Sequence, residues 1–150
     1  MERRLLEDIL RDVHRCPTAG NLQAFRVVAL VSPEQIAAAP LRQSFARKAG
    51  AVLIFVALRG VSEAKYGARG RELYALQDAT IACITAMLAA EARGIASCWI
   101  GAFDPMAVSA FIGVDGKDAV PVAVLPLGYS AEAEPRKNCR KDFADMVVFN

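Results

Sequence analysis

From Leu73 to Ala90 the chain carries one charged residue, Asp78, and the spacing predicts a helix over about 72–93 that Gly94 ends as a C-cap. Ala75, Ala79, Ala82, Ala86 and Ala89 recur every three or four residues, which makes one face of methyl groups. Leu73, Ile81, Ile84 and Leu88 supply bulk elsewhere. A helix apolar nearly all round has to be covered nearly all round. A chain of 150 residues, read as one domain over 1–150, has little other material for that. The expectation is a helix at the centre of a homodimer, with the alanine seam receiving a second helix.

The rest of the chain alternates helices and strands irregularly. Leu5, Leu6, Ile9, Leu10 and Val13 mark a helix over 1–15, which Pro17 and Gly20 break. Residues 25–31 read as a strand. Ser32-Pro33-Glu34-Gln35 is a helix start, with a capping serine, proline in first position and glutamine three residues after the cap. Ala51–Leu58 is an unbroken apolar run, the pattern of a strand covered on both faces. Residues 60–71 read as a polar, glycine-containing connection. A short strand over 96–100 precedes a helix begun by Asp104-Pro105. Residues 119–127 form a further strand, with Pro121 expected outside the ladder. The architecture expected is α+β, a mixed sheet flanked by helices.

Composition narrows the function. A net charge of +2 gives no basic excess of the kind a polyanion binder carries, so no nucleic-acid partner is expected. Cys16, Cys83, Cys98 and Cys139 have no zinc spacing, and no metal site is expected. They read as free thiols of a cytoplasmic protein. The N-terminus lacks a signal-peptide core, and the longest uncharged helical run, 79–90, is too short to cross a bilayer, so no membrane association is expected. No P-loop or G-x-G-x-x-G occurs. The single histidine, His14, reads as a solvated helix residue, so no nucleophile–histidine site can be built and no catalytic acid or base is named.

Three stretches in order resemble the FMN-dependent nitroreductase family. The first is Cys16-Pro17-Thr18-Ala19-Gly20-Asn21-Leu22-Gln23-Ala24-Phe25. The second runs from Lys65-Tyr66-Gly67 through the long helix to Cys98-Trp99-Ile100-Gly101-Ala102. The third is Pro126-Leu127-Gly128-Tyr129 with the basic run Arg136–Lys141. The resemblance implies a nitroreductase-like homodimer with FMN in the cleft between subunits. It implies that Thr18, Asn21 and Gln23 meet the flavin from one subunit. The turn Trp99-Ile100-Gly101-Ala102 would lie along the ring of the other subunit's flavin, with the Gly101 and Ala102 N–H groups toward N5 and O4. Lys137 and Arg140 would take the phosphate. The implied activity is hydride transfer from NAD(P)H, through flavin N5, to a small electron acceptor such as a nitroaromatic or quinone.

The chain departs from the family pattern before Cys16. Only fifteen residues precede it, and Arg3-Arg4 lacks the serine of the family's R-R-S-x-R phosphate clamp. Arg3, Arg4, Lys65, Arg69 and Arg71 are the cations placed to compensate. The alternative expectation is therefore a non-catalytic dimer of the same fold with weak or no FMN binding, acting as a binding or structural protein.

Overall fold

The computed structural model describes residues 1–131 and 139–149. Its elements are α1 (Arg3–Val13), β1 (Phe25–Leu30), α2 (Pro33–Ala38), β2 (Ala51–Leu58), α3 (Arg59–Arg69), α4 (Ala75–Glu91), β3 (Ala96–Ser97), α5 (Pro105–Ile112) and β4 (Ala119–Gly128). The strands form one sheet in the order β1-β2-β4-β3. The fold is α+β as expected; among the described residues every strand pair is antiparallel, so the sheet is not mixed in direction.

β2 lies in the middle, and its burial explains its composition. Leu53 and Phe55 face one layer with Ala123 and Leu125, against Ile9 and Val13 of α1 and Ala82 and Ala86 of α4. Val52, Ile54 and Val56 face the other layer with Val124, against Ile36 of α2 and Val108 of α5. Alternate side chains of a strand point to opposite faces, so a strand between two helical layers has no polar position.

The local start and stop signals act as read. Ser32 Oγ accepts the Gln35 N–H and the Gln35 side chain caps back, a complete capping box. Asp104 accepts the N–H groups of Met106 and Ala107 at the head of α5, and Gly113 closes that helix at φ 72°. After α4, Ile95 N–H donates to Ala90 O and Gly94 N–H to Glu91 O, with Gly94 at φ 70°.

Three expectations need correction. Residues 59–69 are helical rather than a loop, and a π-helical turn, Gly70–Tyr74, joins them to α4. Their glycines read as breakers, but only Gly67 breaks the helix, at φ 59°. Gly70 lets the chain fold back: a Cβ there would collide with the Ser62 carbonyl, with its carbon 2.7 Å away. Arg71 then ties the turn to Glu63 of α3 at 2.8 Å and to Asp118, just before β4, at 2.7 Å. Second, Pro121 sits inside the ladder opposite Val56, at a register shift where no N–H is needed. Third, the alanine seam faces inward. Ala75, Ala79, Ala82 and Ala86 are fully buried in their own protomer, because small side chains let α4 lie close on the sheet and α1. The exposed stripe of α4 is instead Ile84 and Leu88, at 44% and 67% accessibility, beside half-buried Ile81.

The helical run Arg59–Glu91 is long and apolar enough, by length and composition, to cross a membrane. Its α4 half is committed to the core just described.

A strained loop and an exposed turn form the candidate functional site

Between α1 and β1 the chain makes a tight loop. Thr18 is extended, and Gly20, Asn21 and Gln23 all lie at positive φ, 56°, 57° and 54°. Among the described residues, Asn21 and Gln23 are the only non-glycine residues in that region. Asparagine tolerates it, whereas for glutamine it is strain, and such strain persists where surrounding contacts over-determine it. Here Thr18 Oγ1 accepts the Gln23 N–H at 3.0 Å, and Gln23 Nε2 donates to Asn21 O at 3.2 Å. The Ala19 N–H donates to Asp78 Oδ1 of α4 at 2.9 Å. Gly20, at φ 56°, lies under the side-chain ends of Tyr66 and Lys65: an added Cβ would strike the Tyr66 hydroxyl and lie 2.8 Å from Lys65 Nζ unless those side chains moved. The side-chain amide of Asn21 is exposed and makes no hydrogen bond among the described residues.

The second element follows β3. Ile100 exchanges both backbone hydrogen bonds with Val124, and its side chain is buried in the core. Trp99 is half-buried against the α1–α4 core. Gly101 and Ala102 are exposed, and their N–H groups have no hydrogen-bond partner among the described residues. Gly101 is not at positive φ, and among the described residues a Cβ there would touch only the Trp99 ring, at an ordinary 3.5 Å from Nε1 and 3.9 Å from Cδ1. Among the described residues, no contact demands glycine at this position. Gln43 holds the turn from below, Nε2 donating to Ala102 O at 2.9 Å. Sequence reasoning missed Gln43, a lone polar residue with no motif around it.

The loop enters β1 and the turn leaves β3, at opposite edges of the sheet. Three strand spacings, about 14 Å, separate those strands. One protomer therefore does not bring Thr18, Asn21 and Gln23 together with Gly101 and Ala102. Lys137 lies outside the described residues; Arg140 is exposed. Of the compensating cations, Arg3 pairs with Glu7, Arg69 donates to the Tyr74 hydroxyl and Arg71 pairs with Glu63 and Asp118. Lys65, over the Tyr66 ring, is the one against the loop.

The thiols differ in environment. Cys83 is fully buried on α4, and burial pushes its pKa up to about 12. Burial, with the charge of Asp78 second, also raises Cys16. Cys98 and Cys139 are exposed. Only the thiolate reacts, and at pH 8 a thiol with that pKa is about one ten-thousandth ionised. Iodoacetamide on the folded protein at pH 8 is expected to label Cys98 and Cys139 first and to leave Cys83 unmodified until the chain unfolds. Mass spectrometry of the peptides reads the order; early labelling of Cys83 would contradict its burial.

The Nitroreductase family model matches residues 34–129, well over half of the chain. The chain belongs to the nitroreductase family. Its general class, an oxidoreductase, follows from that membership. A comparison with curated protein sequences finds no significant match. Solved structures of nitroreductase fold superpose on nearly its whole length. An FMN-dependent nitroreductase from Clostridium difficile R20291 gives a TM-score of 0.81 at 20% identity, covering 100% of this chain and 88% of its own. A Staphylococcus epidermidis protein assigned as an NAD(P)H:FMN oxidoreductase gives 0.83 at 21%, covering 99% and 86%. A gut-bacterial enone reductase of fatty acid saturation, CLA-ER, gives 0.86 at 18%, covering 99% and 88%. Similarity at these identities shows the shared nitroreductase fold.

Proposed function

We propose that this chain binds FMN between two copies of itself and catalyses NAD(P)H-dependent reduction of a small conjugated acceptor in the cytoplasm. The observation that carries this reading is the turn at Gly101 and Ala102. Two adjacent backbone N–H groups are exposed and unbonded there, on a glycine that the protomer's own packing does not need. A glycine without an internal reason suits a site where a planar ligand approaches the backbone. The donors match an acceptor edge such as flavin N5 and O4, and the names of two relatives, with FMN in both and NAD(P)H in one, agree with that chemistry.

FMN held there would supply hydride chemistry between NAD(P)H and a nitroaromatic, quinone or similar acceptor. The chain's own work is to bind, orient and stabilise. Fixed N–H donors at Gly101 and Ala102 stabilise charge that develops on the ring during reduction, with no reorganisation at that moment. Gln43, through the Ala102 carbonyl, keeps that turn in place. The free Asn21 amide and the Thr18 hydroxyl face a flavin from the loop, while Gln23 mainly holds the loop together. Lys137 and Arg140 take the phosphate.

The second copy is argued from two unpartnered apolar surfaces. One is the Ile84 and Leu88 stripe on α4. The other is the segment after residue 139, where Phe143, Met146, Val148 and Phe149 are all more than 65% accessible. A partner covers both and brings a turn to the other protomer's loop, which the sheet keeps apart within one chain.

The test is a visible spectrum of the purified protein before and after incubation with FMN and desalting, followed by NAD(P)H oxidation with menadione or a nitroaromatic. A flavin band that survives desalting and turnover above the free-flavin background are expected. A colourless protein after both treatments overturns the reading. That outcome would favour a dimer of this fold without flavin, for which the specific observation is that Arg3, Arg69 and Arg71 are already engaged within the chain.

A further inference from the structure

Asp78 is the one charged residue between Leu73 and Ala90, and it is 1% exposed. It has no ion pair among the described residues, and its Oδ2 is buried without a hydrogen-bond partner. A buried carboxylate with an idle oxygen is a poor way to stabilise a helix on a sheet. Its other oxygen, Oδ1, accepts the Ala19 N–H at 2.9 Å across 59 residues of sequence. Among the described residues this is the single hydrogen bond joining residues 18–23 to an element distant in sequence; the others close the loop on itself or run from Phe25, at the start of β1, back to Gln23 O. The loop it reaches contains the three left-handed residues Gly20, Asn21 and Gln23. Beside the carboxylate is an open hollow of about 440 Å³, lined by Ala19, Tyr74, Gln77, Thr80 and Ile81, so the loop is not packed against α4 on that side.

We infer that Asp78 is a positioning residue for flavin binding: its carboxylate latches the strained loop to α4 through the Ala19 N–H, which fixes the direction in which Thr18 and Asn21 present their polar groups. The inference rests on the flavin reading above. A charged acceptor makes the stronger hydrogen bond, which accounts for aspartate where asparagine has the same shape. The latch also joins the site to the helix whose outer stripe meets the second copy, so loop geometry and subunit packing share one rigid element.

The experiment uses the full chain without flavin first. Amide hydrogen exchange is measured for wild type, Asp78→Ala and Asp78→Asn, and FMN affinity is then measured by flavin fluorescence. Asp78→Ala is expected to speed exchange over 18–23 about tenfold or more, with β2 amides unchanged, and to weaken FMN binding about tenfold or more. Asp78→Asn keeps an acceptor at Oδ1 and is expected to recover most of both. Unchanged loop exchange in Asp78→Ala overturns the latch. Faster loop exchange with intact FMN affinity overturns its role in flavin binding. If Asp78→Ala does not fold, Ala19→Pro removes the same hydrogen bond from the donor side; Thr18 is extended at φ −139° and ψ 158°, a conformation that accepts a following proline. The same two losses are expected from that variant, and their absence overturns the inference. Failure of wild type to bind FMN is a failure of the flavin reading, visible before any variant is made, and exchange then decides the latch alone.

Discussion

Replacing Gly101 by leucine is expected to lower FMN affinity roughly a hundredfold, about 2.7 kcal/mol, while leaving the FMN-free fold within about 0.5 kcal/mol of wild type. The two halves of that expectation have separate causes. Gly101 is exposed and not at positive φ, and an added Cβ meets only Trp99 at 3.5 Å. Among the described residues, a Cβ there makes only ordinary contact with Trp99, and the exposed position leaves the rest of a side chain room toward solvent. A ligand lying on the turn, however, is pushed off two backbone donors, and each such contact is worth about 1.5–3 kcal/mol when the acceptor carries charge. Gly101→Ala is expected to give a smaller loss, since one methyl group reaches less far. Fluorescence titration with FMN and thermal melting of the flavin-free protein read the two halves. Equal affinity in Gly101→Leu and wild type would remove the turn from the site. A large fall in melting temperature would show that glycine serves the fold.

The largest effect on stability is expected from Phe55→Ala, a loss of about 3–5 kcal/mol. Phe55 is fully buried in the middle of β2, between Val27 and Ala123 on the neighbouring strands, and packs against the α1–α4 layer. Phe55 is paired to β1 on one side and β4 on the other, so the backbone around the void has little freedom to collapse into it. For a domain of this size, each kcal/mol moves the melting temperature by about 2–4 °C, which gives a fall of roughly 6–20 °C. Differential scanning calorimetry or a urea titration measures it. A change below about 1 kcal/mol would mean that the two-layer packing around β2 is looser than described.

The elements that could be read along the chain carry their signals within a few residues. Ser32 and Gln35 cap one helix from three positions apart, and Asp104 and Pro105 open another. The unbroken apolar stretch over 51–58 leaves no polar face, so its place between two layers follows from its composition. Thr18, Asn21, Gly101 and Ala102 came from resemblance of short motifs, and the structure puts them on a strained loop and an exposed turn. It also commits Ile100 to the core and turns Gln23 back on its own loop.

The remainder depended on partners far away in sequence. The glycines between 60 and 70 look like a connection because glycine disfavours helix locally. The segment is helical all the same, and contacts from beyond its end tie it down: Gly70 packs on the Ser62 carbonyl and Arg71 reaches Glu63 and Asp118. Pro121 is tolerated within a ladder because the register slips beside it. The alanine spacing of α4 announces a close approach but not what approaches; only the packed molecule shows it to be the chain's own sheet and α1, leaving Ile84 and Leu88 outside. Gln43 under the Ala102 carbonyl, and Asp78 under Ala19, each act across 59 residues. Local hydrogen bonds and periodicity can be inferred from spacing because both partners lie in one window. A close approach, a bulge or a buried carboxylate has its meaning only when folding brings its distant neighbour into contact.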